Sequence, residues 1–149
     1  MQAAELNLVY ELSPPQVGQL CAIFEGEWWS VGRDRADIEE VLASSVVVAL
    51  VHPGSDALVA FARVVTDYHY FACILDVIVH VDYRSHGFGK EIMNGIFRHP
   101  ELQRLRGIGL QCREEKVGFY EQWGFSSTPG ASLQMKRVFA DQKPADVAI

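Results

Sequence analysis

Cysteine, basic charge and long apolar runs are scarce in this sequence, and each scarcity argues against a class of protein. The three cysteines, Cys21, Cys73 and Cys112, lie far apart without a C-x-x-C pair, so neither a disulfide framework nor a zinc or other metal site is predicted. Basic residues number 13 against 19 acidic ones, which argues against nucleic acid as a partner. The runs VVVALV and CILDVIV are too short to cross a bilayer.

The N-terminus and the cysteines together predict a compartment. The segment MQAAELNLVYEL carries acidic residues and no basic stretch, so it is not typical of a secretory signal. Unpaired cysteines fit a reducing environment. We therefore expect a cytoplasmic protein without a membrane association.

What the sequence does contain is the pattern of one α/β domain. Its 149 residues are 49% hydrophobic, enough for a single core. Strand patterns occupy 6–12, 45–51, 57–67, 71–81 and 107–112, with two more expected within 125–139. We predict an α/β (α+β) domain over residues 1–140, with a mixed, mostly antiparallel, bent sheet flanked by about four helices. Residues 141–149 are predicted to form a flexible tail.

Helix boundaries are marked by capping residues and prolines. Ser13 as N-cap, with Pro14 or Pro15 in the first turn, begins the first helix, and Asp34 or Asp37 begins the second. A third helix is expected from near Gly87 to the His99–Pro100 dipeptide, and a fourth over 114–123, ended by Gly124. The apolar faces predicted for the first and third helices are Val17, Leu20, Cys21 and Phe24, and Ile92, Met93, Ile96 and Phe97.

The stretch DYRSHGFGKEIM, residues 82–93, joins a strand to the third helix through two glycines. It fails the P-loop pattern because Glu91 follows Lys90, and it fails the dinucleotide pattern because Ile92 replaces the third glycine. One reading is a turn without a ligand. The other is an anion site, because unpaired N–H groups at a helix N-terminus, with Arg84 and Lys90 nearby, attract phosphate.

Two motifs in order resemble the GNAT superfamily of acyl-CoA-dependent N-acyltransferases. The first, R-x-x-G-x-G, is matched by Arg84, Gly87 and Gly89, and the second is the segment FYEQWGF, residues 119–125. The resemblance is good over about residues 45–126 and rests on the order of elements before that. The sequence departs from many members by having Ser85 directly after the arginine.

The resemblance implies acetyl-CoA as cosubstrate and assigns residues to it. Backbone N–H groups of the turn would hold the pyrophosphate, and the edge of the preceding strand would pair with the pantetheine arm. Tyr120 matches the family tyrosine that protonates the departing thiolate, and its alternative role is packing in the core. The implied acetyl-CoA-binding residues are Val79, Val81, Arg84, Ser85, His86, Gly87, Phe88, Gly89 and Lys90.

The general base and the acceptor pocket are less defined. Asp76 is a carboxylate in an apolar strand, so it is either a base or amine anchor, or the partner of a structural hydrogen bond. Trp28, Arg33, Tyr68 and Tyr70 are candidates for binding the acceptor, and the alternative is a surface loop with buried aromatics.

The function predicted is direct transfer of an acetyl group from acetyl-CoA to a primary amine of a small molecule or peptide. Direct transfer is expected because Cys73 and Cys112 have no activating histidine nearby in the sequence. A non-catalytic acyl-CoA-binding domain and a nucleotide-phosphate-binding module are the alternatives. Dimers are common in the family, so a homodimer is one expectation.

Overall fold

The computed structural model describes residues 5–127, 134–137 and 139, and a five-stranded sheet forms its centre. The strands lie in chain order; the first three pairings are antiparallel and β4 pairs with β5 in parallel. This confirms the predicted mixed, mostly antiparallel sheet. The strands are β1 (Asn7–Val9), β2 (Val46–Val51), β3 (Leu58–Thr66), β4 (Ala72–Val79) and β5 (Ile108–Leu110).

The α-helices of the described part are α1 (Pro14–Glu25), α2 (Arg35–Ala43), α3 (Phe88–Arg98) and α4 (Val117–Glu121). The caps of the first two are those that the sequence predicts. Ser13 accepts a hydrogen bond from the Gln16 N–H at 3.4 Å, and the Gln16 side chain accepts one from the Ser13 N–H at 2.9 Å. Asp34 caps α2 by accepting from the Ala36 N–H at 2.7 Å.

The helices cover both faces of the sheet, which explains why β2 is apolar throughout. Val46, Val48 and Leu50 belong to one core cluster with α3, and α4 packs against its margin. The alternate β2 residues belong to a second cluster, which includes Leu20 and Phe24 of α1. All six β2 residues are buried as a result.

An irregularity in β4 reverses its facing pattern halfway along. Asp76 has a φ of +56°, and the register with β3 shifts at this level. Before Asp76, Ile74 packs on the α3 side of the sheet. After it, Val77 and Val79 pack on that side, and Ile78 packs on the α1 side. The C-terminal half of β4 therefore presents its odd-numbered residues to the α3 layer.

Several predicted boundaries differ from the observed ones. The first strand covers three residues rather than seven, and the helix expected over 114–123 is a 3₁₀ turn, Glu114–Lys116, followed by the short α4. Phe97, predicted to be buried, is 37% exposed at the end of α3. Of the two strands expected within 125–139, residues 125–127, 134–137 and 139 show no strand, and the rest lies outside the described residues, as does the predicted tail.

Candidate active site

The turn between β4 and α3 presents backbone N–H groups at one place. Ser85 has a φ of +66° and Gly87, the N-cap of α3, a φ of +83°. The first N–H bonded within the helix is that of Glu91, which donates to the Gly87 carbonyl at 3.2 Å. The N–H groups of the preceding first-turn residues have no acceptor within the helix. They form the positive end of the helix dipole, the geometry that binds an anion.

Arg84 folds back over the end of β4. Its Nε donates to the Val79 carbonyl oxygen at 3.0 Å, and its Nη2 donates to the carboxylate of Glu27 just after α1. His80, the residue after Val79, donates its N–H to the Val59 carbonyl of β3. Val79 lies opposite Ala60, and because bonded and non-bonded positions alternate along an antiparallel pair, Val79 does not bond to β3. The polar backbone groups of Val79 therefore point away from β3, toward the open edge of β4.

A cavity of about 590 Å³ opens where β4 and β5 separate. The two strands pair over 72–74 and 108–110, and among the described residues no strand pairs with the C-terminal half of β4 on its β5 side. Trp28 borders the cavity, with the Arg113 guanidinium 4.0 Å from its ring centroid. The lining residues are Glu27, Trp28, Trp29, Ile74, Asp76, Val77, Ile78, Val79, Tyr83, Arg84, Ser85, Gly87, Phe88, Gly89, Leu110, Gln111, Cys112, Arg113, Glu115, Lys116, Phe119 and Tyr120.

Tyr120 lines this cavity from α4. Its ring packs edge-on against Phe119, with centroids 4.9 Å apart, and Phe119 in turn lies 3.5 Å from where a Cβ on Gly89 would stand. Burial, together with the neighbouring Cys112, raises the pKa of Tyr120 to about 12. The phenol therefore keeps its proton throughout the neutral range. Burial also raises the pKa of the Cys112 thiol, with Glu115 adding to the effect, so this cysteine is not an activated thiolate.

Asp76 is almost fully enclosed, with 1% of its side chain exposed. Its Oδ2 accepts from Nη1 of Arg33 at 2.8 Å and from Nε of Arg63 at 2.6 Å, and its Oδ1 accepts from Nη2 of Arg33 at 3.2 Å. Both oxygens are thus engaged by protein donors. These bonds are of the structural kind that the sequence left as one of two alternatives.

Comparison with known proteins adds to this geometry. The sequence model of the family described as acetyltransferase (GNAT) domain matches residues 43–127, more than half of the chain. The chain belongs to the GNAT family. The match covers β4, the β4–α3 turn, β5 and α4, which supply most of the cavity lining, while Glu27, Trp28 and Trp29 of that lining lie before the matched range. It confirms the resemblance and supports an acyltransferase.

Related GNAT proteins occur in several organisms. An uncharacterized N-acetyltransferase, ycf52, of Porphyra purpurea is 31% identical over 88 residues, which are 58% of this chain and 51% of the relative. GCN5-related N-acetyltransferase 1, chloroplastic, of Arabidopsis thaliana is 33% identical over 98 residues, 65% of this chain and 50% of the relative. The chain therefore spans about half the length of these relatives.

Solved GNAT structures share the fold. A protein of Xanthomonas campestris described as belonging to the GNAT family superimposes with a TM-score of 0.76 at 27% identity, over 89% of this chain and 93% of that one. The Arabidopsis relative is named as chloroplastic, so the comparisons do not support the expected cytoplasmic location, which stays a prediction.

The structure brings many of the predicted GNAT site residues to one cavity. Tyr120, Asp76 and Trp28 line it, as do six of the implied acetyl-CoA-binding residues: Val79, Arg84, Ser85, Gly87, Phe88 and Gly89. The roles of these residues remain predictions.

Other predicted site residues lie outside the lining of that cavity. Val81 is 67% exposed in the 3₁₀ turn after β4, and the exposed His86 stacks on Phe88 with ring centroids 6.0 Å apart. Tyr68 and Tyr70 are exposed at the β3–β4 turn, by the opposite end of β4. The remaining two are Lys90, in the first turn of α3, and Arg33, bound to Asp76.

Sequence reasoning missed the wall contributed by β5 and the segment after it. Leu110, Gln111, Cys112 and Arg113 line the cavity because β5 lies parallel to β4 and then diverges from it. The run GIGLQC indicated a strand, but a strand pattern does not say which neighbour it pairs with or where the pairing ends.

Two further features of the described residues concern metals and membranes. In the ranges 5–127, 134–137 and 139, no group of three or more histidine, cysteine or acidic side chains is arranged to hold a metal ion. Within the same ranges, no helix combines the length and the apolar character needed to span a bilayer.

Proposed function

We propose that this GNAT protein transfers an acetyl group from acetyl-CoA directly to a primary amine. The observation that carries the proposal is the C-terminal part of the β4 edge, which no strand of the described residues pairs with and which faces a cavity with the α3 N-terminus at one border and Tyr120 at another. An extended pantetheine arm fits an unpaired strand edge, and a pyrophosphate fits a helix N-terminus.

The residues of the turn fit the phosphates of acetyl-CoA. A Cβ on Gly87 would meet nothing within 4 Å, so the space beside the helix N-terminus is open to a ligand. Ser85 and Gly87 adopt positive φ values, a conformation that turns successive N–H groups toward one point. Arg84, one of the predicted acetyl-CoA-binding residues, is held by Glu27 and Val79 and so also shapes the end of β4.

The chemistry makes two demands of different size. An alkylamine with a pKa of about 10.4 must lose its proton before attack, which costs about 4.6 kcal/mol at pH 7. The departing thiolate, with a pKa of about 8.5, is only about 2 kcal/mol above its protonated form. Deprotonation of the amine is therefore the larger barrier.

Tyr120 acts on the smaller demand, as a hydrogen-bond donor to the developing thiolate. Since its pKa is about 12, well above that of a thiol, full proton transfer from the phenol is uphill. A donated hydrogen bond stabilises the charge on sulfur without that transfer. The proton lost by the amine balances the one that the thiolate finally gains.

The lining of the cavity contributes to the larger demand. Ile74, Val77, Leu110 and Phe119 are apolar groups on its walls. An apolar surrounding disfavours an ammonium ion and lowers the pKa of an amine that enters it. The acceptor is a small-molecule or peptide amine on this proposal, and the cytoplasmic location and the homodimer remain predictions from the sequence.

The first test is release of CoA from acetyl-CoA over a panel of polyamines, arylalkylamines, aminoglycosides, amino acids and short peptides. Turnover with one class is expected. A binding arm measures acetyl-CoA affinity by calorimetry, and Gly87→Ala is expected to weaken it by about tenfold because alanine is strained at positive φ. Gly124→Ala, at a φ of +85°, controls for that strain and should leave affinity unchanged. Binding without any turnover would favour the acyl-CoA-binding alternative.

A further inference from the structure

The segment between α1 and α2, residues 26–34, borders the cavity. It is bound to β4 by the ion pair of Arg33 with the buried Asp76. Trp28 and Trp29 of this segment line the cavity, and Arg33 near its end reaches Asp76 of β4 with two hydrogen bonds, at 2.8 and 3.2 Å. The Arg33 guanidinium also lies 4.8 Å from the Phe24 ring centroid and 5.6 Å from that of Trp29. The ion pair therefore helps to determine where the Trp29 ring stands.

The same carboxylate is tied to the irregularity of β4. Asp76 sits at a φ of +56°, which aspartate adopts more readily than most residues other than glycine and asparagine. Arg63 of β3 donates to it at 2.6 Å and also to the Ser45 hydroxyl at 3.4 Å. One buried carboxylate thus joins β3, the displaced part of β4 and the α1–α2 segment.

The accessibility of these groups separates a positioning role from a proton-transfer role. The Asp76 side chain is 1% exposed and its two oxygens accept three hydrogen bonds from guanidinium groups. Each oxygen of Asp76 already accepts at least one guanidinium hydrogen bond and the side chain is shielded from solvent, which favours a structural over a proton-accepting role. Arg33 is 32% exposed, so it can be replaced without opening the core.

We propose that Asp76 is a positioning residue, which holds residues 26–34 through Arg33 and thereby sets the acceptor wall of the cavity, that is, the wall that carries Trp28, a candidate acceptor-binding residue, and Trp29. The proposal rests on the proposed function in that it names the element that determines acceptor affinity. It assigns Asp76 no part in moving a proton. Loss of the Arg33–Asp76 link displaces the part of the wall nearest Arg33, around Trp29, while the Glu27–Arg84 pair still ties the start of the segment to the α3 turn.

The test replaces Arg33 rather than Asp76 first, because removing the carboxylate leaves two partly buried cations without their shared partner and endangers folding. Arg33→Met leaves the neutral pair of Asp76 and Arg63. Arg33→Lys is the conservative variant that restores one charged hydrogen bond. Arg35→Met is the matched control, since Arg35 pairs with Glu39 at 2.9 Å on the surface of α2 and its other bond, to the Pro14 carbonyl at 3.2 Å, reaches the start of α1 rather than residues 26–34.

The kinetic readout is the split between KM and kcat. With the amine found by the panel, Arg33→Met is expected to raise the acceptor KM by about 10–100-fold and to change kcat less than about threefold. Arg33→Lys should recover part of the loss, and Arg35→Met should behave as the natural protein. The pH profile of kcat should keep its shape. A fall in kcat with an unchanged acceptor KM, or a displaced acid limb, would overturn the proposal.

Asp76→Asn separates the two roles directly where it folds. Positioning predicts the same rise in acceptor KM as Arg33→Met, and no further rise when the two changes are combined. A general base predicts a loss of kcat of about 10²–10⁴-fold with KM preserved. The second result would overturn the proposal.

Hydrogen exchange provides a readout that needs no turnover. Arg33→Met is expected to speed amide exchange within residues 29–34 by about tenfold and to leave the body of α3, which among the described residues forms no hydrogen bond or ion pair with this segment, unchanged. Unchanged exchange in that segment would overturn the positioning role. If the natural protein turned over no amine, the proposed function would fail, and the exchange result would still decide whether Arg33 holds the segment.

Discussion

At the scale of single residues, the phenol of Tyr120 has the most direct consequence. Tyr120→Phe keeps the ring packed on Phe119 and removes the donor, so kcat is expected to fall by about 10²–10³-fold while acetyl-CoA affinity stays within about twofold. Steady-state kinetics and calorimetry measure the two quantities. Tyr10→Phe, a tyrosine packed on His99 and absent from the cavity lining, is the control.

The pH dependence of kcat follows from the raised pKa of Tyr120. Because the pKa of the phenol is about 12, Tyr120 stays protonated over the range from about pH 7 to about pH 10. Its ionisation should therefore not lower kcat within that range. A fall of kcat near pH 10 that disappears in Tyr120→Phe would contradict this.

The buried imidazole of His99 makes the stability of the fold depend on pH. Burial lowers the pKa of this imidazole below 6.5, although Glu101 partly opposes the shift, and its Nδ1 accepts from the Glu101 N–H at 3.1 Å. The unfolded state therefore binds the proton more readily. The contribution is fully present above the unfolded pKa and is lost as pH falls through 6.5 toward the folded value. Between pH 8 and pH 5, the free energy of unfolding measured in urea should fall less in His99→Asn than in the natural protein. An equal fall in the two proteins would contradict the assignment.

At the scale of elements, the close contact of α3 with the sheet passes through Gly95. A Cβ at this position would stand 2.7 Å from Cδ1 of Leu8 and 3.2 Å from Cγ1 of the fully buried, branched Val48. Gly95→Ala gains about 1 kcal/mol of helix propensity, but overpacking costs about 1–3 kcal/mol, so net destabilisation is expected.

The control for Gly95→Ala is another helical glycine with open space. Gly118 in α4 has nothing within 4 Å of a Cβ, and Gly118→Ala should be neutral or stabilising by about 0.5–1 kcal/mol. Urea denaturation measures both free energies of unfolding. Equal stabilisation of the two variants would show that the Leu8 and Val48 side chains shift to accommodate the added methyl group at little cost.

At the scale of the whole molecule, local signals in the sequence were enough to predict the helices, strands and turns. They did not predict which distant strands pair with each other. The cap at Ser13 and the turn before Leu58 depend on a few neighbouring residues, so their residue types were sufficient. The parallel partner of β4 comes about 35 residues later, and no local pattern names it.

The candidate site divides in the same way. Glycines and an arginine at fixed spacing indicated the α3 turn, and the tyrosine motif indicated α4. The two arginines on Asp76 come from different elements, so the sequence indicated a buried carboxylate but not its partners. Tyr68 and Tyr70 were candidates because they are aromatic and in a turn, but that turn lies near the end of β4 away from the α3 turn.

Among the described residues, β4 and β5 separate after Ile74 and leave the later edge of β4 open, and this gives the last prediction. The Val79 N–H points to the open edge, while the Ile78 N–H faces Phe61 of β3. Saturating acetyl-CoA should slow hydrogen exchange at Val79 much more than at Ile78, because the pantetheine arm completes the edge. At 100 times Kd it should also stabilise the fold by about 2.7 kcal/mol.

ATP is the matched ligand for that measurement, since it offers phosphates without a pantetheine arm. It should protect amides in the first turn of α3, such as Gly89, and leave Val79 exchanging as in the free protein. NMR-detected exchange at the two residues distinguishes the ligands. Protection of Gly89 without protection of Val79 in the acetyl-CoA sample would mean that the arm does not follow β4. Protection of both residues by acetyl-CoA, and of Gly89 alone by ATP, is the result that the geometry requires.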